Sequence, residues 1–69
     1  MYTIGQAIRT PHPCRVGIVQ LPQGCHGKVV AISEAVGKPI VLVRFENISE
    51  ILAMWPTEIE PWDTNDPAS

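Results

Sequence analysis

Two cysteines and two histidines are the residues whose types and spacing could support chemistry in this chain. They form two pairs, His12 with Cys14 and Cys25 with His26. Thiolates and imidazoles are the usual ligands of a tetrahedral zinc ion, but the two ligands of a pair are usually separated by about two to four residues. Cys25 and His26 are adjacent. One hypothesis is therefore a metal-binding or thiol-redox module that uses these four residues. The alternative is that the cysteines are small buried residues and the histidines lie in loops.

Other arrangements of catalytic residues have little support in the sequence. Glu58 and Glu60 are spaced to share one face of a strand, but paired carboxylates near a chain end are typical of a solvated edge. The glycines do not form a phosphate-binding series followed by a helix. We therefore expect a non-catalytic protein without a cofactor.

Two tryptophans near the C-terminal end indicate a surface for a partner. Large aromatic residues and methionine are enriched at protein interfaces. The predicted partner-binding residues are Trp55, Trp62, Met54 and Arg44. The alternative is that both tryptophans cover the open end of a barrel. Since small domains gain buried area by oligomerising, we expect either a protein partner or self-association as a homodimer or larger assembly.

Length and composition limit the classes of function. The 69 residues suffice for one domain, and 45% hydrophobic with 17% charged residues is an ordinary globular composition. A formal charge of −2 gives no basic surface for a phosphate backbone, so nucleic acid is not an expected partner. No apolar run is long enough to span a membrane, and the first residues lack the features of a signal peptide. We expect a cytoplasmic protein with reduced cysteines and no membrane contact.

A hairpin is predicted in the middle of the chain. Two β-rich runs, residues 28–33 and 40–45, flank a short connection that contains Gly37 and Pro39. Gly27, just before the first run, predicts a bulge or a close approach of two backbones. Side chains alternate along a strand, which places three residues of the second run on the core face: Val41, Val43 and Phe45.

Before this hairpin we predict one strand and a long connection. The strand runs from Tyr2 to Thr10 and ends at the stiff segment 11–13, which contains two prolines. Within the connection, residues 15–21 form either a short strand or an ordered arm.

After the hairpin, residues 48–55 fit strand and helix periodicity about equally. We favour a strand, because eight residues ended by Pro56 are short for a helix. Residues 56–58 are predicted to form one helical turn, and 59–62 a last strand that Pro61 restricts to a sheet edge. The acidic residues 63–69 are predicted to be a disordered tail.

In this order the elements resemble a small Src-homology-3-like barrel. The predicted fold is all-β, with five strands in one domain over residues 1–62 and a short helical turn before the last strand. Three motifs are similar to those of the electron-transport accessory barrels, which include a small stromal component of photosystem I and the variable chain of ferredoxin–thioredoxin reductase. The motifs are Gly5-x-x-Ile8-Arg9, Gly27-Lys28-Val29-Val30-Ala31-Ile32 and Ile40-Val41-Leu42-Val43-Arg44-Phe45. The resemblance implies an interaction or accessory subunit. The looped basic and aromatic segment between the third and fourth strands of those proteins is missing here, where only Glu46-Asn47 remains.

A second similar family leaves one further hypothesis. The plasmid-borne type of dihydrofolate reductase is a barrel of nearly this size that builds one active pore from four chains. Where it carries a Val-Gln-Ile-Tyr strand, this chain has Val41-Leu42-Val43-Arg44. This resemblance implies an oligomeric enzyme whose site forms between chains, without the Gln and Tyr of that pore.

Overall fold

The predicted central hairpin forms the longest pair of strands in the computed structural model, which describes residues 2–62. The predicted tail, residues 63–69, and Met1 lie outside the described residues. The described strands are β1 Ala7–Arg9, β2 Cys14–Val16, β3 Val19–Leu21, β4 His26–Ala35, β5 Lys38–Phe45, β6 Ile51–Met54 and β7 Glu60–Pro61, with a 3-10 turn at Pro56–Glu58. The all-β prediction is confirmed. None of the helical structure in this part of the chain is long and apolar enough to cross a membrane.

Five strands form one antiparallel sheet in the order β6-β5-β4-β1-β7, and β2 pairs with β3 in a separate hairpin. Residues 15–21, left open between a strand and an arm, thus belong to a hairpin, which packs beside β6. Residues 51–54 form the strand favoured over a helix, and Pro61 lies in edge strand β7 as predicted. Over residues 2–62 no ladder joins β6 to β7, so the sheet is open and its hydrogen bonds do not close the predicted barrel.

One face of the sheet carries the core. Val41, Val43 and Phe45 are buried, which confirms the predicted core face of β5. Met54 lies opposite Val41 in the β5–β6 register and is fully buried on the same face. Met54 therefore fills the core and cannot contact a partner from the surface, which corrects its predicted role. The other buried apolar residues are Ile8, Leu21, Val29, Leu52 and Ile59.

Gly27 lies against β5 at a position that leaves no room for a side chain. A Cβ atom at this position would lie 2.7 Å from the carbonyl oxygen of Arg44 and 3.0 Å from the Cα of Phe45. The close approach predicted for Gly27 is confirmed, whereas the bulge in β4 occurs further along, between Val29 and Ala31. Because Gly27 has no side chain, the end of β5 can pack directly against the start of β4.

Thr10 closes the base of the long connection between β1 and β4. Its hydroxyl donates to the carbonyl of Pro22 at 2.8 Å and accepts from the backbone N–H of Cys25 at 2.9 Å. Its backbone N–H donates to Cys25 and its carbonyl accepts from Gly24. Thr10 is 1% exposed, and all of its polar groups are satisfied. Strand β1 begins only at Ala7, so the predicted first strand is shorter than expected.

Candidate functional site

Trp55 lies at the end of β6, where the chain enters the 3-10 turn. Its backbone N–H donates to the Glu58 carboxylate at 2.8 Å, and its carbonyl accepts from the N–H of Glu58 at 2.9 Å. These two bonds fix the backbone of Trp55, while 45% of the residue remains exposed. A cleft of about 380 Å³ beside the indole is lined by Lys38, Pro39, Trp55, Pro56 and Thr57. Trp55 is itself the N-cap of the turn, and Thr57 lies at its middle.

A second apolar cleft adjoins the first. It also measures about 380 Å³ and shares Pro39 and Pro56 with its neighbour, adding Tyr2 and Ile32 above the buried Val41. The Tyr2 hydroxyl is anchored by donation to the Ile59 carbonyl at 2.8 Å. Together the two clefts form one largely apolar surface, here called the Trp55 surface, made of Tyr2, Ile32, Pro39, Trp55 and Pro56.

Trp62 lies in a different place, on the outer face of the sheet. Its indole stacks on the imidazole of His26, with ring centroids 3.6 Å apart and planes inclined by 15°. Its backbone N–H donates to the carbonyl of Ala7 at 3.0 Å. A cleft of about 570 Å³, here called the Trp62 cleft, is lined by this pair and by Ala7, Gly27, Lys28, Val30, Arg44, Phe45 and Glu46.

The two tryptophans occupy opposite ends of β5. The Trp55 surface includes Pro39 at the start of this strand, whereas the Trp62 cleft includes Arg44 and Phe45 at its end. Along an extended strand these ends are separated by roughly 20 Å. The structure thus brings two predicted partner-binding residues, Arg44 and Trp62, into one cleft and places Trp55 in another.

The four predicted zinc ligands are spread over several elements. His12 is exposed in the loop before β2, Cys14 lies in β2 and Cys25 directly precedes β4. His26 faces the Trp62 ring. In the part of the chain described, no three His, Cys, Asp or Glu side chains form a group that could hold a metal ion. Both cysteines have free thiols and pack against the core.

The environment of Cys14 opposes a reactive thiolate. Burial, with smaller contributions from the charge of Glu58 and from Cys25, raises the pKa of Cys14 above its ordinary value of 9.0. A nucleophilic or redox-active cysteine has its pKa lowered by nearby positive charge, whereas the charge near Cys14 is negative. This environment fits the alternative in which the cysteine is a small buried residue.

Comparison with known proteins identifies no relative of this chain. No family model, no curated protein and no solved structure matches the chain.

Two elements of these surfaces were missed by sequence reasoning. Lys28 was not singled out, and His26 was considered only as a metal ligand. Their spacing around Gly27 places them on one face of β4, which was visible in the sequence. Their position beside Arg44 and Trp62 depends on strand pairing across the sheet, which was not visible in the sequence. Tyr2 and Pro39 likewise join Trp55 only through the fold.

Proposed function

We propose that the chain is a non-catalytic interaction or accessory subunit that binds a protein partner through the Trp55 surface. The observation that carries the proposal is the convergence of five largely apolar residues from four segments of the chain on two adjoining clefts. Trp55 and Ile32 are each 45% exposed there. Exposed apolar surface that includes a tryptophan is typical of a binding site.

The geometry supports a preformed site rather than a mobile one. The Tyr2 hydroxyl is held by a hydrogen bond to Ile59, and the backbone of Trp55 is held by the Glu58 carboxylate within its own turn. Pro39 and Pro56 have a fixed φ angle, so they lose little conformational freedom when a partner covers them. Rigid apolar anchors reduce the entropic cost of association, which favours binding.

We further propose that the open sheet and the β2–β3 hairpin together form a Src-homology-3-like barrel. The support is the strand order, in which β1 lies between β4 and the last strand, and the 3-10 turn directly before that strand. The hairpin lies beside edge strand β6, where it covers part of the core with Leu21. Backbone nuclear Overhauser contacts between β2 and β6 in solution test this arrangement.

Association measurements with matched variants test the binding function. We expect Trp55→Ala to abolish self-association in sedimentation experiments, or capture of a partner if the partner is another protein. Ile18→Ala is the control, because Ile18 is an apolar residue that is 97% exposed at the tip of the β2–β3 hairpin, outside the Trp55 surface. Association that is unchanged by Trp55→Ala, or reduced equally by Ile18→Ala, would refute the proposal.

A further inference from the structure

The Trp62 cleft contains two positive charges placed directly opposite each other. Lys28 of β4 pairs with Arg44 of β5 in the antiparallel register, and both side chains are exposed and line the cleft. Like charges at directly opposite positions destabilise a sheet. Over residues 2–62 the ion pair that forms is Arg9–Glu60, at 2.8 Å, so neither Lys28 nor Arg44 is neutralised there. Among the described residues, this pairing is of the kind that lowers the stability of a sheet.

The backbone holds these two charges together. Gly27 precedes Lys28 and has no side chain to separate the strands, so the Arg44 carbonyl lies where a Cβ atom at Gly27 would collide with it. Cβ atoms of directly opposite residues are about 5 Å apart, which lets a guanidinium and an ammonium group reach one small anion together. Such a site would gain from ligand binding the stability that it lacks when empty.

Two aromatic rings and one small residue form the rest of the cleft described here. His26 lies two residues before Lys28 in β4, so both side chains are on the same face of the strand. The Trp62 indole stacks against the His26 ring. Ala7 lies opposite Lys28 on the other neighbouring strand and fills little space with its methyl group. The cleft thus offers two cationic donors beside a flat apolar surface.

The surrounding charge limits the kind of anion. Glu46 lines the same cleft, and Glu60 is held nearby by Arg9 on the adjacent strands. With Arg9 and Glu60 paired to each other, Lys28 and Arg44 next to Glu46 leave one net positive charge. A nucleic-acid backbone carries closely spaced phosphates and needs an extended basic surface, which this cleft does not provide. A single carboxylate next to an apolar group matches both the charge and the aromatic rings.

We propose that the Trp62 cleft binds an acidic peptide segment of a partner protein. A carboxylate of the peptide lies between Lys28 and Arg44, with an adjacent apolar side chain against Trp62. The planar guanidinium of Arg44 donates two parallel hydrogen bonds to the carboxylate, and Lys28 adds a further donor. The identity of the ligand as a protein segment rests on the proposed function, but the cleft is separate from the Trp55 surface.

Fluorescence of Trp62 provides the binding assay. In the full chain with Trp55→Phe, Trp62 is the remaining tryptophan, because the sequence contains two. The probe is an acetylated Asp-Phe amide, and its matched control is the Asn-Phe amide, which has the same shape without the charge. We expect saturable binding of the Asp-Phe probe at least tenfold tighter than of the Asn-Phe probe, and weaker binding as salt is added.

Variants separate the cleft from general electrostatic attraction. Lys28→Ala and Arg44→Ala should each weaken binding about tenfold or more, because each removes charged hydrogen bonds. Arg15→Ala is the control, since Arg15 is an exposed cation on β2 outside the cleft. Lys28→Thr should also raise the urea midpoint of unfolding at low salt while it weakens binding, since it removes the like-charge pair. A purely structural lysine would lower the midpoint instead.

The remaining outcomes decide against the proposal or in its favour. Equal binding of the Asp-Phe and Asn-Phe probes, or equal losses in the Arg44→Ala and Arg15→Ala variants, would overturn it. Tighter binding of inorganic phosphate or of a short single-stranded oligonucleotide than of the Asp-Phe probe would assign the cleft to phosphate. Loss of partner association in Trp55→Ala with peptide binding retained in Trp55→Phe would show that the two sites are independent, in support of the proposal. If peptide binding fails while Trp55-dependent association persists, the proposed function stands and this inference falls.

Discussion

The hydroxyl of Tyr2 donates a hydrogen bond to the backbone carbonyl of Ile59, at 2.8 Å, and so links the segment before β1 to the segment before β7. The same hydroxyl lies 3.3 Å from the carbonyl of Pro56. We expect Tyr2→Phe to lower the free energy of unfolding by about 1 kcal/mol, since it removes the donor but keeps the ring. Urea unfolding measures the change. A variant as stable as the wild type would show that water satisfies these carbonyls equally well.

The Tyr2 hydroxyl also makes stability depend on alkaline pH. Partial burial, and to a smaller extent the charge of Glu60, raise the pKa of Tyr2 above its ordinary value of 10.0. Because the folded-state pKa is the higher one, this stabilisation is complete below the unfolded-state value and is lost as pH rises through the folded-state value. We expect the ultraviolet titration of this single tyrosine to have a midpoint above 10.0. Glu60→Gln should lower the midpoint and Glu50→Gln should not; a wild-type midpoint at or below the ordinary value would contradict the prediction.

Cys14 should react slowly with alkylating reagents. Its raised pKa leaves less thiolate at neutral pH than an unperturbed thiol has, and the thiolate is the reacting form. In a Cys25→Ser background, we expect iodoacetamide to modify Cys14 more slowly than it modifies N-acetylcysteine. Glu58→Gln should accelerate the reaction by removing a negative charge, while the amide keeps an oxygen for the Trp55 N–H. Faster alkylation of Cys14 than of the free thiol would instead revive the redox hypothesis.

Gly27→Ala should be strongly destabilising. The new methyl group would lie 2.7 Å from the Arg44 carbonyl oxygen, so β4 and β5 would have to separate. We expect a loss of about 1–3 kcal/mol, as for overpacked cores. Gly17→Ala is the comparison, because Gly17 has open space around it and a φ of 62°, so its cost reflects backbone conformation alone. A smaller loss at Gly27 than at Gly17 would show that the strands adjust easily.

A substitution in the turn between β4 and β5 should make the protein more stable. Both of its central residues have positive φ, 51° for Val36 and 73° for Gly37, which corresponds to a type I′ turn. Valine is β-branched and disfavours this region, and Val36 is 99% exposed, so it gains little from packing. Val36→Asn should raise the free energy of unfolding by about 1 kcal/mol. Val36→Ile keeps the β-branch and should have no such effect in the same urea titrations.

The sequence was most informative where a regular pattern extended over many residues. Alternation along β5 identified Val41, Val43 and Phe45 as core, and Pro56 and Pro61 marked the helical turn and the edge strand. The β2–β3 hairpin could not be distinguished from an arm, because strands of three residues are too short to show a period.

The role of Met54 was misjudged for a related reason. Residues 48–55 fitted helix and strand spacing alike, so the face of Met54 could not be assigned before its pairing with Val41 was known. The Trp62 cleft depends on longer-range pairing still. Lys28 of β4 meets Arg44 of β5, and Trp62, which directly follows β7, meets His26 of β4. These positions arise only when the whole sheet has assembled.

The hydrogen bonds of Thr10 mark where the segment that connects β1 to β4 leaves the five-stranded sheet and returns to it. Residues 11–24 leave the sheet and return to it at one buried threonine, so their course does not determine the pairing of β1 with β4. The entropic cost of a longer loop rises only with the logarithm of its length. Leu21 is buried in the core, and Cys14, Val16 and Val19 pack against it, so these positions of the segment have to stay apolar. Insertions and deletions at the exposed turn of Gly17 and Ile18 can therefore lengthen or shorten this segment while every strand of the five-stranded sheet keeps its register.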